Sequence, residues 1–253
     1  MNLLSKVFMV GPIYPWRGGI AHSNNITCEK LAANNKVTAI SFSKMFPEFL
    51  YPGENQMEKG ARKKHAPFEA KHILDPINIL TWIAVAGRIR KEKPDCVIFQ
   101  WWHPFFFPCY LSIVLLGRND RTRFGVITQN VLPHEKNSAN FLLTKIFFGS
   151  VDYLVSYAKS DAAAVKLMVP GKRSCFMVEP TTETNFGGAL PKIRAQKALG
   201  ITSPTILFFG FIRKYKGLKW LLRAMPLVLD KYPKLKLMVV GEFWEDKDEY
   251  LHL

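Results

Sequence analysis

A cluster of cations occupies a short loop that connects an apolar strand pattern to a helix pattern. Arg213 and Lys216 follow the apolar run Ile206–Phe209, and apolar residues recur at helical spacing from Gly217 to Leu229. Ligands of parallel sheets bind beyond the carboxyl ends of the strands, and a helix N-terminus favours anions. The pattern predicts a phosphate site, while for two cations taken alone a solvated basic loop is the commoner explanation.

The same segment resembles the donor-binding domain of the retaining glycosyltransferases of the GT-B fold, in particular the family 4 group. The matching residues are Phe209-Gly210, Lys216-Gly217 and Val240-Gly241-Glu242. The resemblance implies that Lys216 and Arg213 bind the diphosphate of a nucleotide-sugar. Many members carry the arginine directly after the first glycine, where this chain has Phe211, so Arg213 matches less directly.

A glycine pair follows the first strand pattern. Lys6–Val10 leads into a proline-rich loop, Gly18-Gly19, and a helix pattern from about residue 20 to 34 with His22 and Ser23 as expected capping residues. Paired glycines allow a backbone to approach a ligand, although alone they indicate only a turn. The resemblance implies that Gly18 and Gly19 contact the donor phosphate in a cleft between two domains.

The segment TQNVLPHE, residues 128–135, matches a second motif of the resembling enzymes. Gln129 stands where those enzymes carry an active-site histidine; its amide can hydrogen-bond a sugar hydroxyl but cannot take up a proton. The resemblance implies that Gln129, His134 and Glu135 are the catalytic candidates. A loop histidine that only satisfies local polar contacts is an equal alternative for His134.

The acceptor side of the expected cleft is assigned to three further residues. Arg17 precedes the glycine pair, Asn130 follows Gln129, and His103 lies in WWHP, residues 101–104, at the end of another strand pattern. No G-x-G-x-x-G or G-x-x-x-x-G-K-[ST] motif occurs, which disfavours dehydrogenases and P-loop NTPases.

Strand and helix patterns alternate as in an α/β, doubly wound fold. We predict a Rossmann-like acceptor-side domain in residues 1–190 and the opening part of a second, sugar-nucleotide-binding Rossmann-like domain in residues 191–253. Residues 43–72 are predicted to be a long mobile loop, and residues 192–199 part of a linker. Further strands are expected at 37–42, 96–102, 123–128, 153–157 and 235–240, and helices at 77–91, 105–116, 141–148 and 160–168, the last beginning on a capping Ser160.

The formal net charge of +15 indicates an anionic partner. No RNA- or DNA-binding motif accompanies it, so an anionic membrane surface is favoured over nucleic acid. The expected membrane face combines three basic segments with aromatic residues: Arg62–Lys64, Arg88–Lys93, Arg118–Arg123, Trp101, Trp102 and Phe105–Phe107. Residues 99–117 lack charges, but Pro104 and Pro108 favour a strand, a turn and a buried helix over a membrane span.

Histidines and cysteines are scattered without zinc-type spacing, so neither a metal nor another cofactor is expected. Isolated cysteines indicate reduced thiols. The first ten residues are interpreted as a strand and not as a signal peptide. A cytoplasmic protein, peripheral on the inner face of the plasma membrane, is expected.

These features predict transfer of a sugar, with retention, from a nucleotide-sugar to a glycan or lipid-linked acceptor, in cell-surface polysaccharide synthesis. The E-x7-E segment of the resembling enzymes would lie beyond Leu253, so we expect a truncated, inactive chain. Two alternatives remain: a non-catalytic remnant that binds acceptor or membrane, and a basic nucleic-acid-binding Rossmann-like protein.

Overall fold

The computed structural model describes residues 5–47, 51, 53, 55–58, 66–131, 138–180 and 188–252. The chain divides into two compact units, which are considered separately. The first comprises residues 1–47 and 56–183, and the second comprises residues 48–55 and 184–253. The sequence analysis places the division between residues 190 and 191.

The first unit is built on a seven-stranded parallel sheet with helices on both faces. Its strands are β1 (Lys6–Val10), β2 (Lys36–Phe42), β3 (Glu69–Leu74), β4 (Cys96–Trp101), β5 (Arg123–Thr128), β6 (Tyr153–Ser156) and β7 (Arg173–Phe176). Its helices are α1 (Gly19–Ala32), α2 (Ile79–Glu92), α3 (Phe107–Gly117), α4 (Ser138–Ser150) and α5 (Lys159–Met168). The strand order is β3-β2-β1-β4-β5-β6-β7, so the topological switch point lies between β1 and β4.

Alternating side chains of the central strands build two cores. Phe8, Phe99 and Val126 face the layer formed by α2–α5, where they belong to one cluster with Ile113 and Phe147. The intervening residues, such as Val7, Met9 and Ala39, pack with Cys28 of α1 on the opposite face. Burial of both sheet faces explains why these strands are almost continuously apolar.

Several local expectations for the first unit are wrong. The predicted mobile loop 43–72 contains part of an edge strand, β3, which pairs in parallel with β2, and residue 57 pairs with Trp16. β7 was not anticipated. α1 begins after Gly18 without a side-chain cap, which places His22 and Ser23 inside the helix, and Ser160 lies inside α5.

The second unit contains two parallel strands, β8 (Thr205–Phe209) and β9 (Lys236–Val240), in the part of the chain that is described. Its helices are α6 (Lys192–Ala198), α7 (Leu218–Lys231) and α8 (Asp248–Leu251). α6 lies where the sequence predicted a linker.

α7 covers one face of this small sheet. Leu218 is buried there, and Leu221 and Leu222 pack against the same cluster. The other face is open: Phe209 is 75% exposed. This face borders a groove of about 600 Å³, lined mainly by apolar residues of α6, β8 and β9.

No helix in the described ranges combines the length and the apolar character that a membrane span requires. Residues 99–117 instead form the end of β4, a short 3-10 turn at Pro104–Phe106 and α3, as the prolines predicted.

Candidate functional site

The cationic loop of the second unit lies beyond the carboxyl end of β8. Gly210 has φ 111°, a conformation that disfavours other residues, and a Cβ built on it would lie 3.0 Å from the Lys216 Nζ. Lys216 is exposed and forms no ion pair with an acidic residue in the described chain. Its ammonium group therefore lies over the end of the strand, with its hydrogen-bonding capacity open to a ligand.

The N-terminus of α7 adds donors at the same loop. Gly217 is the N-cap, with φ 80°, and no side chain caps the helix. Because the first N–H groups of a helix lack internal acceptors, they favour an anion together with the helix dipole. Lys216 is adjacent to this N-cap, so two kinds of phosphate-binding group are combined within two residues.

A close backbone contact fixes the end of the strand pair. A Cβ on Gly241 would lie 1.9 Å from the carbonyl oxygen of Gly210, so only glycine fits at residue 241. The N–H of Gly210 donates to the Val240 carbonyl at 2.9 Å, and the N–H of Ile212 donates to the Glu242 carbonyl at 2.8 Å. These contacts extend the pairing of β8 and β9 into the loop and set its position.

Arg213 is positioned by an aromatic ring. Its guanidinium carbon lies 4.1 Å from the ring centroid of Trp244, and Phe211 stacks on the same indole with centroids 4.4 Å apart. Arg213 is half-buried, unlike Lys216. The two cations thus differ in their contacts: Arg213 is held by a cation–π contact, whereas Lys216 is exposed to solvent.

Glu245 braces the loop from the segment after β9. It accepts a hydrogen bond from the backbone N–H of Lys214 and another, at 2.6 Å, from the Tyr250 hydroxyl. Burial acts to raise the pKa of Glu245, but these hydrogen bonds and the charges of Lys219 and Lys214 leave it below its ordinary value. Burial, followed by the bond to Glu245, raises the pKa of Tyr250 to about 12. The brace is therefore strongest while Glu245 is ionised.

In the first unit, the predicted glycine pair forms the start of α1. Gly18 is the N-cap with φ 109°, which favours glycine, and no side chain caps the helix. A Cβ on Gly18 or Gly19 would meet nothing within 4 Å. Packing within the protein does not require Gly19, and the space in front of the helix is open.

A chain of side-chain amides runs behind this loop and ends at Gln129. Asn24 Nδ2 donates to the Pro12 carbonyl at 2.9 Å, and Gln100 Nε2 donates to Asn24 Oδ1 at 3.0 Å. Gln129 Nε2 donates to Gln100 Oε1 at 3.1 Å and lies 3.5 Å from Ser23 Oγ. Asn24 and Gln100 are both 0% exposed. The amide chain links the loop after β1, α1, β4 and the end of β5 across the switch point.

Gly11 makes this amide chain possible. A Cβ on Gly11 would lie 2.8 Å from the Gln100 Cβ and 3.3 Å from the Asn24 Nδ2. Any larger residue would separate these two amides. Sequence analysis missed Gly11, Asn24 and Gln100, although the signal was present: a glutamine within the apolar run CVIFQW of β4 must find hydrogen bonds once it is buried.

The other residues predicted to belong to the site lie at strand ends, in a loop, or outside the described residues. His103 lies at the carboxyl end of β4, where its Nδ1 accepts from the N–H of Phe105 at 3.1 Å and caps the 3-10 turn. Asn130 is exposed directly after β5, and the N–H of Arg17 donates to the Gln56 carbonyl at 2.9 Å. His134 and Glu135 lie outside the described residues.

The predicted membrane face is wrong for Trp101 and Phe106. Trp101 and Phe106 are almost completely buried, and Trp102, Phe105 and Phe107 pack against the same core. The rings pack with the layer of helices, although Trp102, Phe105 and Phe107 remain partly exposed. Residues 62–64, one of the basic segments, lie outside the described residues.

No group of three potential metal-ligating His, Cys, Asp or Glu side chains occurs among the described residues. All four cysteines are free. Burial raises the pKa of the Cys28 and Cys109 thiols, which are consequently protonated at neutral pH.

Comparison with solved structures defines the fold class. Anabaena Alr3699/HepE in complex with UDP-glucose is similar, with a TM-score of 0.67 and 12% identity over 98% of this chain and 64% of that chain. Sucrose-phosphate synthase from Thermosynechococcus elongatus has a TM-score of 0.59 and 12% identity over 93% of this chain and 62% of that chain. A UDP-N-acetylglucosamine 2-epimerase from Rickettsia bellii has a TM-score of 0.55 and 13% identity over 99% and 65%.

The predicted α/β GT-B fold is confirmed by these similarities and by the parallel sheets of both units. At such low identities the likeness concerns the fold alone. The chain spans about two thirds, 64%, of the length of HepE. Neither sequence profiles of protein families nor the sequences of curated proteins match this chain.

Proposed function

We propose that this chain belongs to a glycosyltransferase of the family 4 type, which transfers a sugar from a nucleotide-sugar to a glycan or lipid-linked acceptor with retention. The single observation that carries the proposal is the position of Lys216, which lies over Gly210 beside the uncapped N-terminus of α7. The fold is shared with proteins solved in complex with UDP-glucose and with UDP. A role in cell-surface polysaccharide synthesis and a cytoplasmic location are part of this proposal.

Lys216 and Arg213 would stabilise the negative charge that develops on the departing diphosphate. In a retaining transfer on one face of the sugar, that diphosphate would itself take up the proton that the acceptor hydroxyl loses. This division of labour suits a site where Gln129 replaces a histidine, since an amide does not take up protons. Gln129, His134 and Glu135 are proposed to contact the sugar, and Gly18 and Gly19 the phosphate. Metal and organic cofactors are not part of the proposal.

The proposal is tested by titrating the purified chain with UDP, GDP and ADP and with the corresponding glucose derivatives. We expect one nucleotide to bind, with an affinity that Lys216→Ala weakens. Absence of binding to every nucleotide, or equal binding by wild type and Lys216→Ala, would refute the diphosphate site. Release of an isomerised nucleotide-sugar without an acceptor would instead favour an epimerase.

We further propose that these 253 residues alone have little or no transferase activity, because the described part of the second unit offers cations for the diphosphate but only two strands to position a nucleotide. The experiment is to incubate the chain with nucleotide-sugars and total lipid and to measure free nucleotide. Turnover above that of Lys216→Ala would contradict this expectation.

Peripheral binding to an anionic membrane is proposed for the outer surface of α2, α3 and α4. The solvent side of these adjacent helices is apolar: Leu80 is 75%, Leu115 60% and Leu142 56% exposed. Four exposed cations near the ends of α2 and α3 form no ion pair within the described chain: Arg90, Lys91, Lys93 and Arg123. Apolar side chains flanked by cations suit an interface with anionic lipid.

Vesicle sedimentation tests this surface. Binding is expected to require anionic lipid, to weaken with salt, and to fall when Leu80 and Ile83 are both replaced by Ser. Leu227→Ser, on the exposed side of α7, is the matched control. Equal binding to neutral vesicles, or a preference for nucleic acid at physiological salt, would reverse the choice of partner.

A further inference from the structure

The amide chain that ends at Gln129 has a direction that is set at its far end. The carbonyl of Pro12 can only accept, so Asn24 must present its Nδ2 there and turn its Oδ1 toward Gln100. Gln100 must then present Nε2 to that oxygen and Oε1 to Gln129. Consequently Gln129 donates through Nε2, and its own Oε1 is left for other partners.

The chain of amides cannot easily reverse. If Gln100 and Asn24 both turned over, Asn24 Oδ1 would oppose the Pro12 carbonyl oxygen, and two acceptors would face each other in a site without solvent exposure. Burial removes the water that could otherwise bridge them. Cys28 Sγ, at 4.0 Å from Asn24 Oδ1, adds a weak donor to the same oxygen and favours the same orientation.

We propose that Asn24 and Gln100 are positioning residues that hold Gln129 as a hydrogen-bond acceptor for a hydroxyl of the donor sugar. This inference rests on the proposed function. Gln129 is half-buried at the carboxyl end of β5, and no described residue donates to its Oε1. A sugar hydroxyl can donate to this oxygen, and an amide that is already oriented binds it at a smaller entropic cost than a freely rotating one.

The direction of the amide chain is tested without any ligand by Gln129→Glu. The introduced side chain, when ionised, would oppose Gln100 Oε1, whereas its protonated carboxyl could donate to that oxygen, so the structure requires a raised pKa for the new carboxyl group. The variant should melt below the wild type at pH 8, and the difference should shrink as the pH falls through that raised pKa. Gln129→Met, which introduces no charge, should show a difference that does not depend on pH.

The other described titratable groups at this edge are common to the wild type and both variants, so they cancel in the comparison. They lie on or near α1, β4 and β6: His22, Cys28, His103, Tyr157 and Glu179. A difference that grows on acidification would mean that Gln100 donates to residue 129. That result, or a difference independent of pH in Gln129→Glu, would overturn the assigned direction.

The positioning role is tested by calorimetric titration with UDP-glucose and with UDP. Asn24→Leu removes the acceptor that orients Gln100, and it should weaken UDP-glucose binding roughly 2–12-fold while UDP binding stays unchanged. Asn24→Asp, with its buried carboxyl protonated, can donate to the Pro12 carbonyl and keep an acceptor oxygen toward Gln100, so it should restore UDP-glucose binding. Asn25→Leu, which removes an amide that donates to Glu29 on the same helix, is the control.

Each outcome separates the inference from the proposed function. Equal losses of UDP-glucose binding in Asn24→Leu and Asn24→Asp, or parallel losses for UDP, would show a purely structural role and overturn the positioning proposal. Failure of the wild type to bind either nucleotide would refute both the proposed function and the sugar contact. The pH test of the amide direction would still stand by itself.

Discussion

Removing the two cations of the β8–α7 loop, one at a time, should separate their contributions to binding and to folding. Lys216 is exposed and unpaired with any described acid, so Lys216→Ala should change the free energy of unfolding by less than about 0.5 kcal/mol. Its bond to a phosphate is charge-assisted and should contribute about 1.5–3 kcal/mol, so the Kd for UDP should rise roughly 10–150-fold.

Arg213→Ala should affect both quantities. The guanidinium lies 4.1 Å from the Trp244 ring centroid, and loss of a cation–π contact of this kind costs about 0.5–1 kcal/mol of stability. Arg213→Lys, which keeps the charge but not the planar group, should recover part of the UDP affinity.

The assay pairs calorimetric titration with UDP at fixed ionic strength with thermal denaturation of each variant. Lys214→Ala is the matched control, because it removes the same charge from the same loop at another exposed position. Its effect on the Kd should stay within about threefold, as expected for a screened charge without direct contact. Equal losses in Lys214→Ala and Lys216→Ala would show a general electrostatic effect and refute the specific diphosphate site.

Three further predictions concern the residues that hold the two loops. Gly241→Ala should destabilise the second unit and weaken UDP binding, since its Cβ would lie 1.9 Å from the Gly210 carbonyl oxygen; urea unfolding and titration with UDP measure this. Gly11→Ala should lower stability by about 1–3 kcal/mol and reduce the preference for UDP-glucose over UDP, because it displaces Gln100; unchanged preference would contradict the amide chain. Glu245→Gln should be less stable than the wild type at pH 7, and this difference in stability should disappear below about pH 4. The reason is that a carboxyl with a lowered pKa stabilises the fold only while it is ionised. Denaturation experiments that show a difference independent of pH would contradict the role of Glu245 in bracing the loop.

Local patterns in the sequence were sufficient for the elements that bury continuous apolar faces. The runs at β1 and β5 have no stable alternative to a buried strand, and the apolar spacing of α7 leaves one face for the sheet. The order of strands and helices then favours a parallel, doubly wound sheet, because parallel neighbours need helical crossovers. The position of Lys216 at a strand end followed from the same reasoning.

Elements that depend on a neighbour could not be predicted in this way. β3 has the sequence EAKHIL and four exposed positions, and it is a strand because the backbone of β2 offers it an unpaired edge. Likewise, the pattern around Arg213 contains no indication that Trp244, which lies after the next strand, would hold its guanidinium.

The sequence by itself determined the fold class and the cationic loop. It also showed that residue 129 is a glutamine, which cannot take up a proton as a histidine could. Only the tertiary structure decided what Gln129 can do, because its hydrogen-bonding direction depends on residues 12, 24 and 100, which are distant in sequence. Side-chain amides are both donors and acceptors, so their type does not reveal their orientation. That orientation is set by burial and by the Pro12 carbonyl at the far end of the amide chain, which can only accept a hydrogen bond.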